Sequence, residues 1–203
     1  MKPLVIIGAG GHGKSVADVA KAQGYKDISF LDDNVESSSV MGIKVVGKLC
    51  DVDKYISNSD IFVAIGNCGV RSEITKKLLA NGANIATLIH PSAIIGSCVE
   101  IGVGVVIMPG VVINNSTKIC DGVIVNTSSS IDHDCYVGEY SHVSVGAHVA
   151  GTVKLGSEVF LGVSSAVINN ISIVDKVTIG AGAVAVKDIK ESGVYVGVPC
   201  RLI

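Results

Sequence analysis

The sequence predicts two fold classes in series: an α/β Rossmann-like domain over residues 1–90, then an all-β left-handed parallel β-helix over residues 91–203 that ends in a C-terminal cap. Three observations predict this. The first half alternates short apolar runs with helix-like stretches, the grammar of a parallel sheet with crossover helices. A glycine-rich segment, Gly8-Ala9-Gly10-Gly11-His12-Gly13, stands where the first apolar run should give way to a helix. From Ile95 an aliphatic residue recurs every six positions as far as Ile179.

In the first half, Leu4-Val5-Ile6-Ile7 reads as a strand, His12 to Ala22 as a helix, and Ile28-Ser29-Phe30-Leu31 as a second strand. Further strands are expected at Lys44-Val45-Val46 and Ile61-Phe62-Val63-Ala64-Ile65, with helices near 50–57 and 69–81.

The repeat runs through Ile95, Ile101, Ile107, Ile113, Ile119, Val125, Ile131, Val137, Val143, Val149, Leu155, Leu161, Val167, Ile173 and Ile179. A period of six fits neither a 3.6-residue helix nor a simple hairpin, but it fits a short strand plus a turn, three such units closing one triangular coil. Fifteen units make about five coils, with the aliphatic column stacked inside. The residue after the hit is often glycine, as at Gly96, Gly102, Gly138, Gly156, Gly162 and Gly180, and is expected to turn the chain where a Cβ would be strained.

Composition limits the partners. The chain is 48% hydrophobic and 17% charged with a formal charge of −2, so it lacks the basic footprint of a nucleic-acid or membrane-surface protein. No apolar run approaches the roughly 20 residues that span a bilayer. Lys2-Pro3 leads into only five apolar residues, unlike a signal peptide, and the six cysteines have no CxxC spacing. A cytoplasmic protein with reduced thiols packed as small hydrophobes is expected, acting on a small molecule.

One polar constellation interrupts the repeat: Asn126-Thr127-Ser128-Ser129-Ser130-Ile131-Asp132-His133-Asp134, followed by Ser141-His142-Val143-Ser144. Acyl transfer from a thioester needs a group that takes a proton from the attacking nucleophile, and imidazole titrates in the right range. A carboxylate can fix its tautomer and stabilise the imidazolium. His133 with Asp132 and Asp134 supplies both parts. Neighbours in a strand point to opposite sides, so a turn must bring one aspartate back, and the sequence leaves open which one.

The glycine-rich segment matches G-x-G-x-x-G, whose glycines let backbone N–H groups approach phosphate oxygens at a helix N-terminus. Asp32 and Asp33 follow at the end of the second strand, where a ribose or base contact belongs. Taken alone the motif suggests NAD, but it suits any diphosphate, and the domain is too short to hold both halves of a dinucleotide in the usual way. His12 inside the loop points towards a sugar nucleotide, and Gly66-Asn67 adds a further strand end on the same edge.

The segments I-G-A-G-G-H-G, F-L-D-D, A-I-G-N, N-T-S-S-S-I-D-H-D, G-E-Y-S-H-V-S-V-G-A and Y-V-G-V-P resemble those of the NeuD/PglD-type sugar acetyltransferases, hexapeptide-repeat acyltransferases, over essentially the whole chain. The likeness is strongest to the PglD-like N-acetyltransferases that act on UDP-linked 4-amino-4,6-dideoxy sugars. The resemblance implies direct acetyl transfer from acetyl-CoA without a metal, in a homotrimer whose active sites lie between subunits. It implies His133 as general base, Asp134 as the acid that raises its basicity, and Gly151 as a backbone donor to the tetrahedral oxyanion. His142, Val163 and Ala181 would meet acetyl-CoA, Ala181 standing where the family frequently has glycine. Gly10, Gly11, His12, Asp32, Asp33 and Gly66 would hold the nucleotide sugar, and Asn126 would lie near the acceptor amine. The segment from Gly193 to Ile203 is expected to cap the last coil and border the acyl-CoA groove. The alternatives are O-acetylation of a sialic-type acid, N-acetylation of a GDP- or CMP-linked sugar, an NAD-dependent oxidoreductase that uses the solenoid for assembly, and a sugar-nucleotide-binding scaffold without catalysis.

Overall fold

Leu4–Ile7 forms β1, and all four side chains are buried, as an uninterrupted apolar run demands of a central parallel strand. A computed structural model describes residues 1–203, which divide into two units, Met1–Pro91 and Ser92–Ile203.

In the first unit β1 leads into α1 (Gly11–Gln23), which Gly24 ends in a left-handed cap, its N–H bonding the carbonyls of Ala20 and Lys21. Next come β2 (Ile28–Leu31), β3 (Ser39–Val40), β4 (Ile43–Gly47), β5 (Asp60–Val63), α2 (Cys68–Ala80) and β6 (Asn84–Ile85). The strand order is β3-β4-β2-β1-β5-β6, parallel except for the β3–β4 hairpin. The carboxyl ends of β1, β2 and β5 therefore share one edge.

Three elements differ from expectation. Leu49–Lys54, where a helix near 50–57 was expected, is a 3-10 helix; the Asp51 carboxylate accepts the Lys48 N–H and Asp33 accepts the Leu49 N–H, so both bind its first turn. Strands β3 and β6 were missed because two residues each are too few to carry a period. The turn after β3 places Met41 and Gly42 at φ 53° and 73°.

Val5, Ile7, Ile61 and Val63 alternate onto one face of the sheet and pack with Val52 and Leu78. Leu4, Ile6, Phe30 and Phe62 are left for the other face, fully buried. There Gly13 lets α1 approach the sheet, since a Cβ on it would stand against the Gly8 carbonyl and 3.7 Å from the Phe30 ring.

In the second unit, two-residue strands recur every six residues and pair in parallel with the strand eighteen residues on. One face runs through Ile94, Val112, Ser130, His148, Ala166 and Val184. A second runs through Glu100, Lys118, Tyr136, Lys154 and Ser172. A third includes Val106, Ile124, His142, Phe160 and Thr178. The first residue of each pair faces outward and the second inward, so the column from Ile107 to Ile179 is at most 2% exposed. The column continues to Ala185, one unit past the predicted end. The result is a three-sided parallel β-helix with 18 residues per coil. Truncating one rung, as in Ile131→Ala, should cost about 2–5 kcal/mol.

The glycines that follow the aliphatic hits serve a different purpose from the one expected. The left-handed residue of each turn is the third after the hit, for example Cys98, Gly104, Ser116, Asp134 and Thr152, whereas Gly96, Gly102, Gly138 and Gly156 are absent from the positive-φ set. Their absent Cβ matters for stacking. At Gly96 it would come 2.7 Å from the Asn115 nitrogen.

Gly193–Val196 adds a parallel strand to Val177–Ile179, and Arg201–Leu202 folds back antiparallel on it, closing the end of the coil. All six cysteines are free. Cys135 and Cys200 are buried, but Cys50 and Cys98 are exposed, so the expectation that the cysteines fill cores holds for only part of the set.

Candidate active site

The turn carrying His133 leaves the strand Ser130–Ile131 and enters Tyr136–Val137. Asp134 occupies the left-handed position of this turn, at φ 57°, which brings its carboxylate back to the imidazole, with Oδ2 2.8 Å from Nδ1. Asp132 is engaged elsewhere: its Oδ1 accepts from the Asn114 amide at 2.6 Å and from the His133 N–H at 2.9 Å. The question left open by the sequence is resolved in favour of Asp134. The hydrogen bond that His133 donates to Asp134, followed by the charge of Asp132, raises the His133 pKa above its ordinary value. With Nδ1–H given to Asp134, Nε2 is the nitrogen that can accept a proton.

Gly151 lies eighteen residues after His133, one coil along. A Cβ on Gly151 would stand 2.7 Å from His133 Nε2, so the ring lies over its open α-carbon. The Gly151 carbonyl accepts the Asn170 N–H, while its own N–H bonds no carbonyl of the chain. Imidazole, carboxylate and an available backbone donor are therefore together at one corner of the prism. Beside them a groove of about 590 Å³ is lined by Ser130, Asp132, His148, Ala150, Ala166 and Asn169.

His142 belongs to a different part of the coil. It sits in the third face, 8% exposed, with its Nε2 3.1 Å from the Asn126 amide nitrogen and its ring edge-on to Phe160 at 5.1 Å. Asn126 also accepts the Thr127 N–H through Oδ1, so the two predicted residues meet each other. Val163 and Ala181, stacked one coil apart, are exposed at the corner that follows this face. Within one chain, the His133 corner and the His142 group are separated by the strands of the intervening face.

In the first unit, Gly10 begins α1 as its N-cap with no side-chain cap, and a Cβ on Gly10, Gly11 or Gly66 would meet nothing within 4 Å. Packing does not demand glycine there, whereas Gly8, at φ 101° and against the Ala64 carbonyl, needs it. Asp32 spends its carboxylate on the chain: Oδ2 accepts the Ala9 N–H at 2.7 Å, and Oδ1 accepts those of Asn34 and Val35. Asp33 accepts from Leu49 and borders a groove of about 510 Å³ with Val52, Glu73, Ile74 and Lys77. His12 is held neutral, its pKa lowered to about 4 by burial and then by the charge of Arg71. Arg71, 1% exposed, donates to the carbonyls of Ile65 and Gly66.

Arg71, Asn114 and Phe160 were missed from the sequence. Asn114 could have been found by stepping eighteen residues back from Asp132. No group of three or more His, Cys, Asp or Glu side chains converges as metal ligands, and no helix is long and apolar enough to cross a membrane.

Residues 3–78 match the PglD N-terminal domain family. The chain is 28% identical over 183 residues to the GDP-perosamine N-acetyltransferase of Escherichia coli O157:H7, covering 87% of this chain and 82% of that protein. It is 31% identical over 112 residues to the UDP-N-acetylbacillosamine N-acetyltransferase of Bacillus subtilis, covering 53% and 52%. Among solved structures it is similar to the acetyltransferase domain of PglB from Neisseria gonorrhoeae in complex with acetyl coenzyme A, with 38% identity, TM-score 0.95, and coverage of 100% and 99%. It is also similar to PerB from Caulobacter crescentus in complex with CoA and GDP-perosamine, with 35% identity, TM-score 0.95, and coverage of 100% and 98%.

A carboxylate-held imidazole on a hexapeptide coil, with these likenesses, defines an acyltransferase of the acetyl-CoA-dependent class. The chain belongs to the NeuD/PglD-type sugar acetyltransferase family.

Proposed function

We propose that the chain moves the acetyl group of acetyl-CoA onto the amine of a nucleotide-linked amino sugar, with His133 as general base. The observation that carries this reading is the His133–Asp134 pair, which leaves Nε2 bare beside Gly151. The neutral amine attacks the thioester carbonyl and its proton passes to Nε2. The Gly151 N–H meets the oxyanion of the tetrahedral intermediate, which collapses with loss of CoA thiolate; the imidazolium then returns the proton to the sulfur. A cysteine nucleophile and a metal have no part in this route.

In the same reading the first unit, used as a Rossmann-like domain, binds the nucleotide sugar. The open α-carbons of Gly10, Gly11 and Gly66 support close approach by phosphate. Asp32 shapes this loop, while His12, Asp33 and Asn126 supply contacts to the sugar nucleotide. His142, Val163 and Ala181 border the acetyl-CoA groove. Separation of the His133 corner from the His142 group within one chain supports completion of each site by a second copy, in a homotrimer of left-handed coils. The free thiols support a cytoplasmic setting.

The relatives named for GDP-perosamine favour a GDP-linked 4-amino sugar as acceptor, since they match over more of the chain. A UDP-linked 4-amino-4,6-dideoxy sugar is the second reading, favoured by the match to the Bacillus subtilis protein. Thiol release from acetyl-CoA, followed with each nucleotide sugar and with a free sialic acid, separates them. Release with neither amino sugar would sink the proposal, and release with the sialic acid alone would make the protein an O-acetyltransferase.

A further inference from the structure

Two buried donors beneath the His133 turn have no part in the mechanism above. Thr117 and Cys135 occupy successive levels of one inward corner column, 1% and 2% exposed, and the levels on either side carry Val99, Val153 and Ile171. Thr117 Oγ1 donates to the Asp132 carbonyl at 2.7 Å and accepts the Cys135 N–H at 3.1 Å. The Cys135 thiol donates to the Ala150 carbonyl at 3.2 Å. Each side chain thus reaches the carbonyl fifteen residues ahead. Burial pushes the Cys135 thiol pKa up, so the sulfur keeps its proton and remains a donor.

The consequence follows from peptide geometry. In a planar trans peptide the C=O and the following N–H point in opposite directions. Drawing the Asp132 carbonyl inward turns the His133 N–H outward, where Asp132 Oδ1 accepts it. Drawing the Ala150 carbonyl inward turns the Gly151 N–H outward from the coil, at the residue whose open α-carbon the His133 ring covers. The coil closes equally well around aliphatic residues at the neighbouring levels, so the fold itself does not require a donor in this column.

We infer that Thr117 and Cys135 are positioning residues for acyl transfer: Thr117 sets the turn that carries the base, and Cys135 aims the Gly151 N–H. The inference rests on the reading in which that N–H meets the oxyanion. It adds a second layer to the site, since neither residue touches either substrate.

The test compares Thr117→Val, which keeps shape and removes the donor, and Cys135→Val, which removes the donor and repeats the valine of the adjacent level at Val153, with Cys135→Ser and Thr117→Ser, which keep a donor. Each is assayed with acetyl-CoA and with GDP-perosamine or the UDP-linked 4-amino sugar, whichever the wild type acetylates. The valine variants should lose about ten-fold in kcat with both KM values little changed, a smaller loss than the roughly 10²–10³ for deleting an oxyanion donor outright. The serine variants should recover most of it. The Gly151 amide resonance should shift in Cys135→Val and move far less in Cys135→Ser. Wild-type kcat in both valine variants with an unmoved Gly151 resonance would overturn the inference, as would a serine variant as impaired as its valine counterpart. His133→Ala run alongside separates the two levels: if it retains turnover, the parent reading fails, whereas the resonance shift still reports on Cys135.

Discussion

His133 and Gly151 stand one coil apart with the imidazole lying across the glycine, so a single methyl group on Gly151 would fall 2.7 Å from Nε2 and 2.8 Å from Cε1. The imidazole can occupy its place because the residue eighteen positions on has no side chain. Gly151→Ala should leave the fold intact, since the displaced ring is half exposed, and lower kcat by about 10–100-fold through misplacement of the ring. Kinetics together with thermal unfolding check this; full turnover with the alanine in place would contradict the geometry.

Asp134 is the first cause of the raised His133 pKa, and the proposed route needs the imidazole in its neutral form. The acid limb of kcat/KM should therefore lie above the ordinary histidine value of 6.5. Asp134→Asn should move that limb to lower pH and reduce the maximal rate by on the order of ten-fold or more, because the imidazolium loses its counter-charge. A limb that stays in place would assign the titration to another group.

Asp32 clamps the glycine-rich loop through the Ala9 N–H, as the junction of β1 and β2 requires. Asp32→Asn weakens a charge-assisted bond of about 1.5–3 kcal/mol. The KM for the nucleotide sugar should rise roughly 5–30-fold while that for acetyl-CoA stays constant. Equal changes in both would detach the loop from the acceptor.

His12 bears on stability as well as binding. Its pKa falls from 6.5 in the unfolded chain to about 4 in the folded one, so between these values the unfolded state binds more protons and stability declines as pH falls. His12→Gln should flatten the loss of Tm between pH 7 and pH 5. Asp51 and Asp132, whose pKa values are lowered from 3.8, act in the more acid range and should leave this window unaffected.

The coil was legible because its period is written in every sixth residue, and the inward position of every strand from Ile95 to Ile179 carries an aliphatic side chain. The strands Leu4–Ile7 and Ile28–Leu31 were read at their observed bounds for the same reason: burial leaves a continuous apolar trace. Strand β3 and the 3-10 helix leave no such trace, since backbone turns and aspartate caps set them. In the site, the residue types of His133 and Asp134 announced themselves, but the choice of Asp134 over Asp132 depended on a left-handed backbone at position 134. The roles of Asn114, Thr117 and Cys135 depend on which residues stack at eighteen and which carbonyls come within reach at fifteen, relationships that exist only once the chain is coiled.

General-base catalysis by His133 is tested by measuring amino-sugar-dependent thiol release from acetyl-CoA by His133→Ala beside the wild type, with the oligomeric state of both followed by sedimentation. Release should fall by at least two orders of magnitude while assembly is unchanged. Retained release, or activity lost only because the assembly falls apart, would contradict it.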